Sequence, residues 1–142
     1  MFVFLIRLAL FHSLFAVIGL IVGCSGQASD QPDLGRVTGR VLMDNEPLAG
    51  YTITYTPSTG RPAFSVIDSD GQYDLNYIRN TKGAKVGPNK VTVTWVDFGG
   101  GSDGGDPPVK KIKIPKRYST ESELSVDVKP GANTFDFDLN SK

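Results

Sequence analysis

Apolar residues recur at every second position through most of this chain, and that period dictates extended strands. Val37, Gly39 and Val41 alternate with Arg36, Thr38 and Arg40. Tyr51, Ile53 and Tyr55 alternate with Thr52, Thr54 and Thr56, and Val91, Val93 and Trp95 do so with Thr92 and Thr94. Successive side chains of an extended backbone point to opposite faces, so each run has one apolar and one hydroxylic or charged side. Beyond the N-terminal apolar run, no ten-residue segment carries the 3.6-residue period of an amphipathic helix.

Turn chemistry separates these runs. Asp44-Asn45-Glu46-Pro47, Pro57–Pro62, Asp68-Ser69-Asp70-Gly71 and Lys129–Asn133 hold the residues that accept local backbone bonds, fix φ or permit positive φ. Further strands are expected over Ala63–Ile67, Gln72–Ile78, Leu124–Val128 and Thr134–Leu139, with loops at Asn80–Asn89 and at Asp97–Pro108, which holds five glycines. The pattern predicts an all-β domain, a single antiparallel β-sandwich of about seven strands.

The N-terminus reads differently. Residues 1–22 are nearly all apolar, interrupted by Arg7, His12 and Ser13, and lead into Ile21-Val22-Gly23-Cys24-Ser25. The apolar core after Arg7 has the length of a signal h-region and falls short of the ~20 residues that span a bilayer. Read as one piece, residues 1–23 would also reach across if Arg7 snorkelled. A small residue before the only cysteine resembles the lipobox of bacterial lipoproteins. That resemblance implies cleavage between Gly23 and Cys24 and a diacylglycerol on the Cys24 thiol. It makes residues 1–23 a signal peptide, 24–35 a lipidated tether and 36–142 the folded domain. Ser25–Leu34 is polar, and ten flexible residues average under ~20 Å end to end. The expected location is the cell membrane or outer membrane, facing the periplasm or the exterior. Ser25, where an acid would favour inner-membrane retention, leans towards the outer membrane.

Removing residues 1–23 from the 142 leaves 119, the size of one domain. The 15 Lys+Arg fall to 14 with the loss of Arg7, against 15 Asp+Glu, so the formal charge becomes −1. Nucleic acid is not expected as a partner, because phosphate tracking requires a cationic surplus. His12, the only histidine, leaves with the signal. The remaining chain has no imidazole for a nucleophile–base unit or a His-ligated metal. With Cys24 acylated it has no free thiol. A non-enzymatic protein without cofactor or metal is the expectation.

Val37-Thr38-Gly39-Arg40-Val41, Glu46-Pro47-Leu48-Ala49-Gly50-Tyr51-Thr52-Ile53, Asp68-Ser69-Asp70-Gly71-Gln72-Tyr73 and Gly83-Ala84 with Gly87 follow one another in a characteristic order. Together they resemble a carboxypeptidase regulatory-like domain, a prealbumin-like sandwich. The stretch from Ile114 through Phe135-Asp136-Phe137-Asp138-Leu139 is similar to the closing half of small bacterial lipoproteins built on that domain. The resemblance covers Arg36–Leu139 and implies a non-catalytic module with no ligand to assign by residue. A transthyretin-like hydrolase would need histidines and a C-terminal signature that this chain lacks.

Three features carry candidate chemistry. Asp68-x-Asp70-Gly71 opens like a calcium loop, but the twelfth place, where an EF-hand puts Glu, holds Arg79; a capped hairpin turn is expected. Lys110, Lys111, Lys113, Lys116 and Arg117 form the densest basic run. They suit anionic head groups or acidic polymers, or an edge strand protected by lysines with Ile112 and Ile114 turned inward; the edge strand is the expectation. Trp95 and Tyr51, Tyr55, Tyr73, Tyr77 and Tyr118 suit a sugar-stacking platform, or the core, which their alternation with aliphatics favours. Trp95, Tyr118, Lys111 and Lys113 are therefore the candidate binding residues. A structural or interaction module of the cell envelope is the first functional expectation, with an envelope protein or polysaccharide as partner. A carbohydrate- or cell-wall-binding module is the alternative.

Overall fold

A computed structural model describes residues 32–96 and 111–142. The expected signal peptide, Gly23, Cys24, most of the tether and the glycine-rich Asp97–Pro108 loop lie outside the described residues. Among the described residues, twelve strand segments form two six-stranded sheets, the sandwich that the alternation predicts.

The first sheet is organised around β1 (Leu34–Met43). Along one edge β1 pairs antiparallel with β8 (Ala84–Lys85), β5 (Gln72–Asp74) and β2 (Glu46–Pro47). Along the other it pairs parallel with β11 (Gly131–Thr134) and β12 (Phe137–Leu139). These two parallel ladders are the departure from an otherwise antiparallel architecture. The second sheet runs in the order β10 (Ser125–Val128), β9 (Gly87–Thr94), β3 (Thr52–Pro57), β4 (Ala63–Val66), β6 (Asn76–Ile78), β7 (Thr81–Lys82). The two-residue segments β2, β7 and β8 are too short for alternation to reveal. Leu34 and Gly35, expected in the tether, belong to β1.

The core follows the sequence pattern. Val37, Val41, Ile53, Tyr55, Leu75, Val91, Val93 and Val128 are fully buried between the sheets. Met43, Tyr51, Tyr73 and Leu139 complete the cluster, and Trp95, Ile114, Tyr118 and Phe135 pack on its margin.

Two expected strands are interrupted for local reasons. Gln72–Ile78 splits at Leu75, where the chain leaves β1 and joins β4. There the Leu75 amide still donates to the Val37 carbonyl, while its own carbonyl accepts from the Gly83 amide. Thr134–Leu139 breaks at Phe135 and Asp136, and the Asp136 carboxylate takes the place of a ladder carbonyl by accepting from the Arg40 amide at 2.8 Å. Opposite this break sits Gly39. A side chain there would overlap the Phe135 carbonyl and crowd the Tyr73 hydroxyl.

The basic run differs from expectation. Residues 111–115 form no strand, and Ile112 is exposed and not turned into the core, whereas Ile114 is half-buried against it. Pro115 removes a ladder donor, and a single side chain, Tyr51, satisfies both backbone groups of Ile112. The turns behave as read. Asp44 and Asn45 both have positive φ (52° and 69°), the geometry of a two-residue hairpin turn between the paired Met43 and Glu46.

Replacing Gly39 by Ala sets a Cβ against backbone that no rotamer change relieves. We expect it to destabilise the domain by about 2–4 kcal/mol. The urea midpoint should fall accordingly, and an unchanged midpoint would contradict the close approach.

Candidate functional site

Of the four candidate binding residues, the fold brings two together. Trp95 follows the last residue of β9 and shares its inner face with Val91 and Val93. The ring of Tyr51 meets it edge-on, with centroids 5.2 Å apart and planes at 76°. The Tyr51 hydroxyl donates to the Ile112 carbonyl at 2.6 Å and accepts from the Ile112 amide at 2.5 Å. That clamp places Lys111, whose ammonium stands 4.9 Å from the centre of the Trp95 ring. The arrangement is a cation over an indole face. The Trp95 Nε1 is buried and meets no acceptor among the described residues.

Lys113 is exposed and joins no ion pair or hydrogen bond among the described residues. Tyr118 belongs to a different group, where the Arg117 guanidinium lies 4.8 Å from its ring centre. Arg117 also donates to the carbonyls of Asn140 and Lys142, and the Tyr118 hydroxyl accepts from the Asn140 amide at 3.4 Å. Its hydrogen bond with Arg117 holds the Tyr118 phenol below the ordinary range. The pair fastens the end of the chain to the turn at Lys116–Tyr118.

Three of the five tyrosines expected in the core are there, while Tyr77 and Tyr118 are half-buried at its margin. Tyr51, Tyr55 and Tyr73 are each at most 4% exposed. The Tyr73 hydroxyl donates to the Phe135 carbonyl at 2.6 Å, which uses its single proton. In the 2.9 Å contact between Tyr55 and Tyr73, Tyr55 is therefore the donor. Burial pushes both phenols well above their ordinary value of 10, with the neighbouring Tyr55 adding to the rise at Tyr73.

Sequence reading missed a polar hollow of 570 Å³ beside this pair, lined in part by Thr38, Arg40, Asp68, Asp74, Lys82 and Asp136. Its residues come from both sheets and are dispersed in sequence, so no local motif announces it. Its carboxylates already have structural partners. Asp68 accepts from the amides of Asp70 and Gln72 at 2.9 and 2.7 Å, the capped turn that the sequence predicts. Asp136 holds the Arg40 amide. Asp74 pairs through one oxygen with Arg36 (3.2 Å) and Lys82 (3.3 Å), while its other oxygen is buried without a partner. No group of three or more histidine, cysteine or acidic side chains is arranged to hold a metal among the described residues. The hollow presents mixed charge, suited to polar contacts.

No protein-family model matches the chain, no curated protein matches it in sequence, and no solved structure matches it in fold.

Two outcomes follow from the tyrosines. The folded-state pKa values of Tyr55 and Tyr73 lie above those of the unfolded chain. Their contribution is therefore complete below about pH 10 and is lost as pH rises beyond it, because only the unfolded chain then sheds those protons. The Tyr55 and Tyr73 phenols should contribute tyrosinate absorbance only as the near-ultraviolet circular dichroism collapses; their ionisation with that signal intact would contradict this. Tyr51→Phe strips both backbone groups of Ile112 of their partner. It should cost about 1–3 kcal/mol and accelerate hydrogen exchange at the Ile112 amide.

Proposed function

We propose that this chain is a lipid-tethered, non-catalytic module of the bacterial cell envelope, built on a carboxypeptidase regulatory-like domain. The observation that carries the reading is where the fold begins. The sandwich is organised on β1, and β1 starts at Leu34, ten positions after Cys24. Little chain remains between the acyl site and the first hydrogen-bonded ladder, as a short membrane tether requires. The geometry of the hydroxyls and carboxylates adds support. Tyr55, Tyr73, Asp68 and Asp136 all serve packing, capping or ladder roles. On this reading the protein sits on the cell membrane or outer membrane through its N-terminal lipid, and works by presenting a rigid surface to an envelope partner.

The carbohydrate-binding alternative draws less support, because Tyr51, Tyr55 and Tyr73 lie inside the sandwich and Lys111 already occupies a face of Trp95. No helix among the described residues is long and apolar enough to cross a membrane.

Metabolic labelling with a fatty acid tests the anchor. The wild-type chain should take up label and sediment with membranes, and Cys24→Ala should do neither. Equal labelling of the two would refute the proposal.

A further inference from the structure

The end of the sandwich from which the tether emerges differs in charge and polarity from the turns at its far end. The position of that end is fixed by pairing. Leu34 opposes Lys85, and the Val86 amide donates to the Asp33 carbonyl at 2.9 Å. The Lys85 ammonium in turn donates to the carbonyl and hydroxyl oxygens of Thr59 at 2.9 and 3.0 Å. The start of β1 and the loop before β4 are thus neighbours. Phe64 pairs with Asn76, so the beginning of β4 and the end of β6 also lie side by side.

At that corner the outer face of the second sheet is apolar. Phe64 is 47% and Ile78 40% exposed, on strands where the other face is core. With Pro62 and Tyr77 they line a shallow hollow of 600 Å³, bounded by Arg61 and Arg79. Both arginines are exposed, and neither enters an ion pair among the described residues. On the neighbouring strands Asp74 pairs with both Arg36 and Lys82, one acid between two cations. The corner and its neighbour carry the positive charge of Arg61, Arg79 and Lys85 against one exposed acid, Asp33, at the start of β1. At the far end the turns are acidic, with Asp44 and Glu46 in one and Asp68 and Asp70 in the other.

Arg79 adds a second observation. It occupies a left-handed conformation (φ 45°) in the two-residue connection between the paired Ile78 and Thr81. That conformation favours Gly or Asn, so a long cation there sacrifices local backbone stability. Strain of this kind is tolerated where a side chain is required for something other than folding.

We propose that the Arg61–Phe64–Ile78–Arg79 corner docks on an anionic lipid surface, with Phe64 and Ile78 entering the interface and the two arginines meeting phosphate head groups. The inference rests on the tether reading, since a tether of this length keeps the corner within tens of ångströms of the bilayer. Aromatic and aliphatic side chains flanked by arginine are the composition that interfacial binding uses. The charge complementarity favours lipid phosphate over a neutral glycan. Tethering converts a weak surface contact into an intramolecular one, so a small patch suffices.

The test uses the acylated full chain reconstituted into vesicles of phosphatidylglycerol and bromine-bearing phosphatidylcholine. Phe64→Trp places an indole in the corner, while Trp95, on the inner side of the same sheet, reports the background in the unsubstituted chain. Bromine should quench the Phe64→Trp emission and leave the unsubstituted chain unchanged. Adding Arg61→Gln and Arg79→Gln to Phe64→Trp should lower the docked-to-undocked ratio by about thirtyfold, from roughly 1 kcal/mol per surface arginine, and abolish the quench. Vesicles of phosphatidylcholine alone should give none. An acylated chain that floats with the vesicles but shows no quench overturns docking and leaves the tether standing. A quench that survives loss of both arginines overturns the charge complementarity. Absence of quench with arginine-dependent retention on an acidic polysaccharide overturns the lipid in favour of the polymer. A chain carrying no lipid overturns the tether, and the docking with it.

Discussion

The structure depends on β1 being hydrogen-bonded along both edges. A strand with both edges occupied must bury its backbone, and each amide and carbonyl it carries needs a partner in the right register. Leu42 and Met43 find theirs in β2 on one side and β12 on the other, and Thr38 in β5 and β11. Where the parallel edge has a gap, at Arg40, the Asp136 carboxylate supplies the acceptor. The two-residue segments, the break at Phe135–Asp136 and the bare Cα of Gly39 are all consequences of fitting short partners around this one strand.

The buried tyrosines form the second level of organisation. Tyr55 donates to Tyr73, and Tyr73 to the Phe135 carbonyl, so a chain of two phenols links the second sheet to the parallel edge of the first. Tyr51 does comparable work at the margin, holding Ile112 and through it placing Lys111 on Trp95. Residues that resemble a binding platform by composition are thus committed to joining sheets and segments. Their hydroxyls give the core a polar specificity that aliphatic packing lacks, because a buried phenol must find its partner.

Much of this was legible because alternation is a direct readout of burial. The inner positions of β1, β3 and β9 could be named from period two alone, and the turn at Asp68–Gly71 from its capping acids. What was not legible is what depends on distance in sequence. The parallel pairing of β1 with β11 and β12 joins residues nearly a hundred positions apart, and nothing local encodes its direction. Lys111-Ile112-Lys113-Ile114 has the alternation of an edge strand, yet Pro115 and the Tyr51 clamp take its backbone out of any ladder. Of the candidate binding residues, Trp95 and Lys111 share a site because Tyr51 positions one against the other. Tyr118 is diverted to the chain end by Arg117. The polar hollow at Asp74 and the arginine-flanked corner are assembled from strands of different sequence regions, which a linear reading has no means to place together.

On the proposed reading, the Cys24 thiol is the covalent handle through which the sandwich is localised. The intact mass of the protein isolated from its native membrane tests this directly. The expected species starts at Cys24 and carries the mass of attached acyl groups. A chain that starts at Met1 with an unmodified thiol would contradict it.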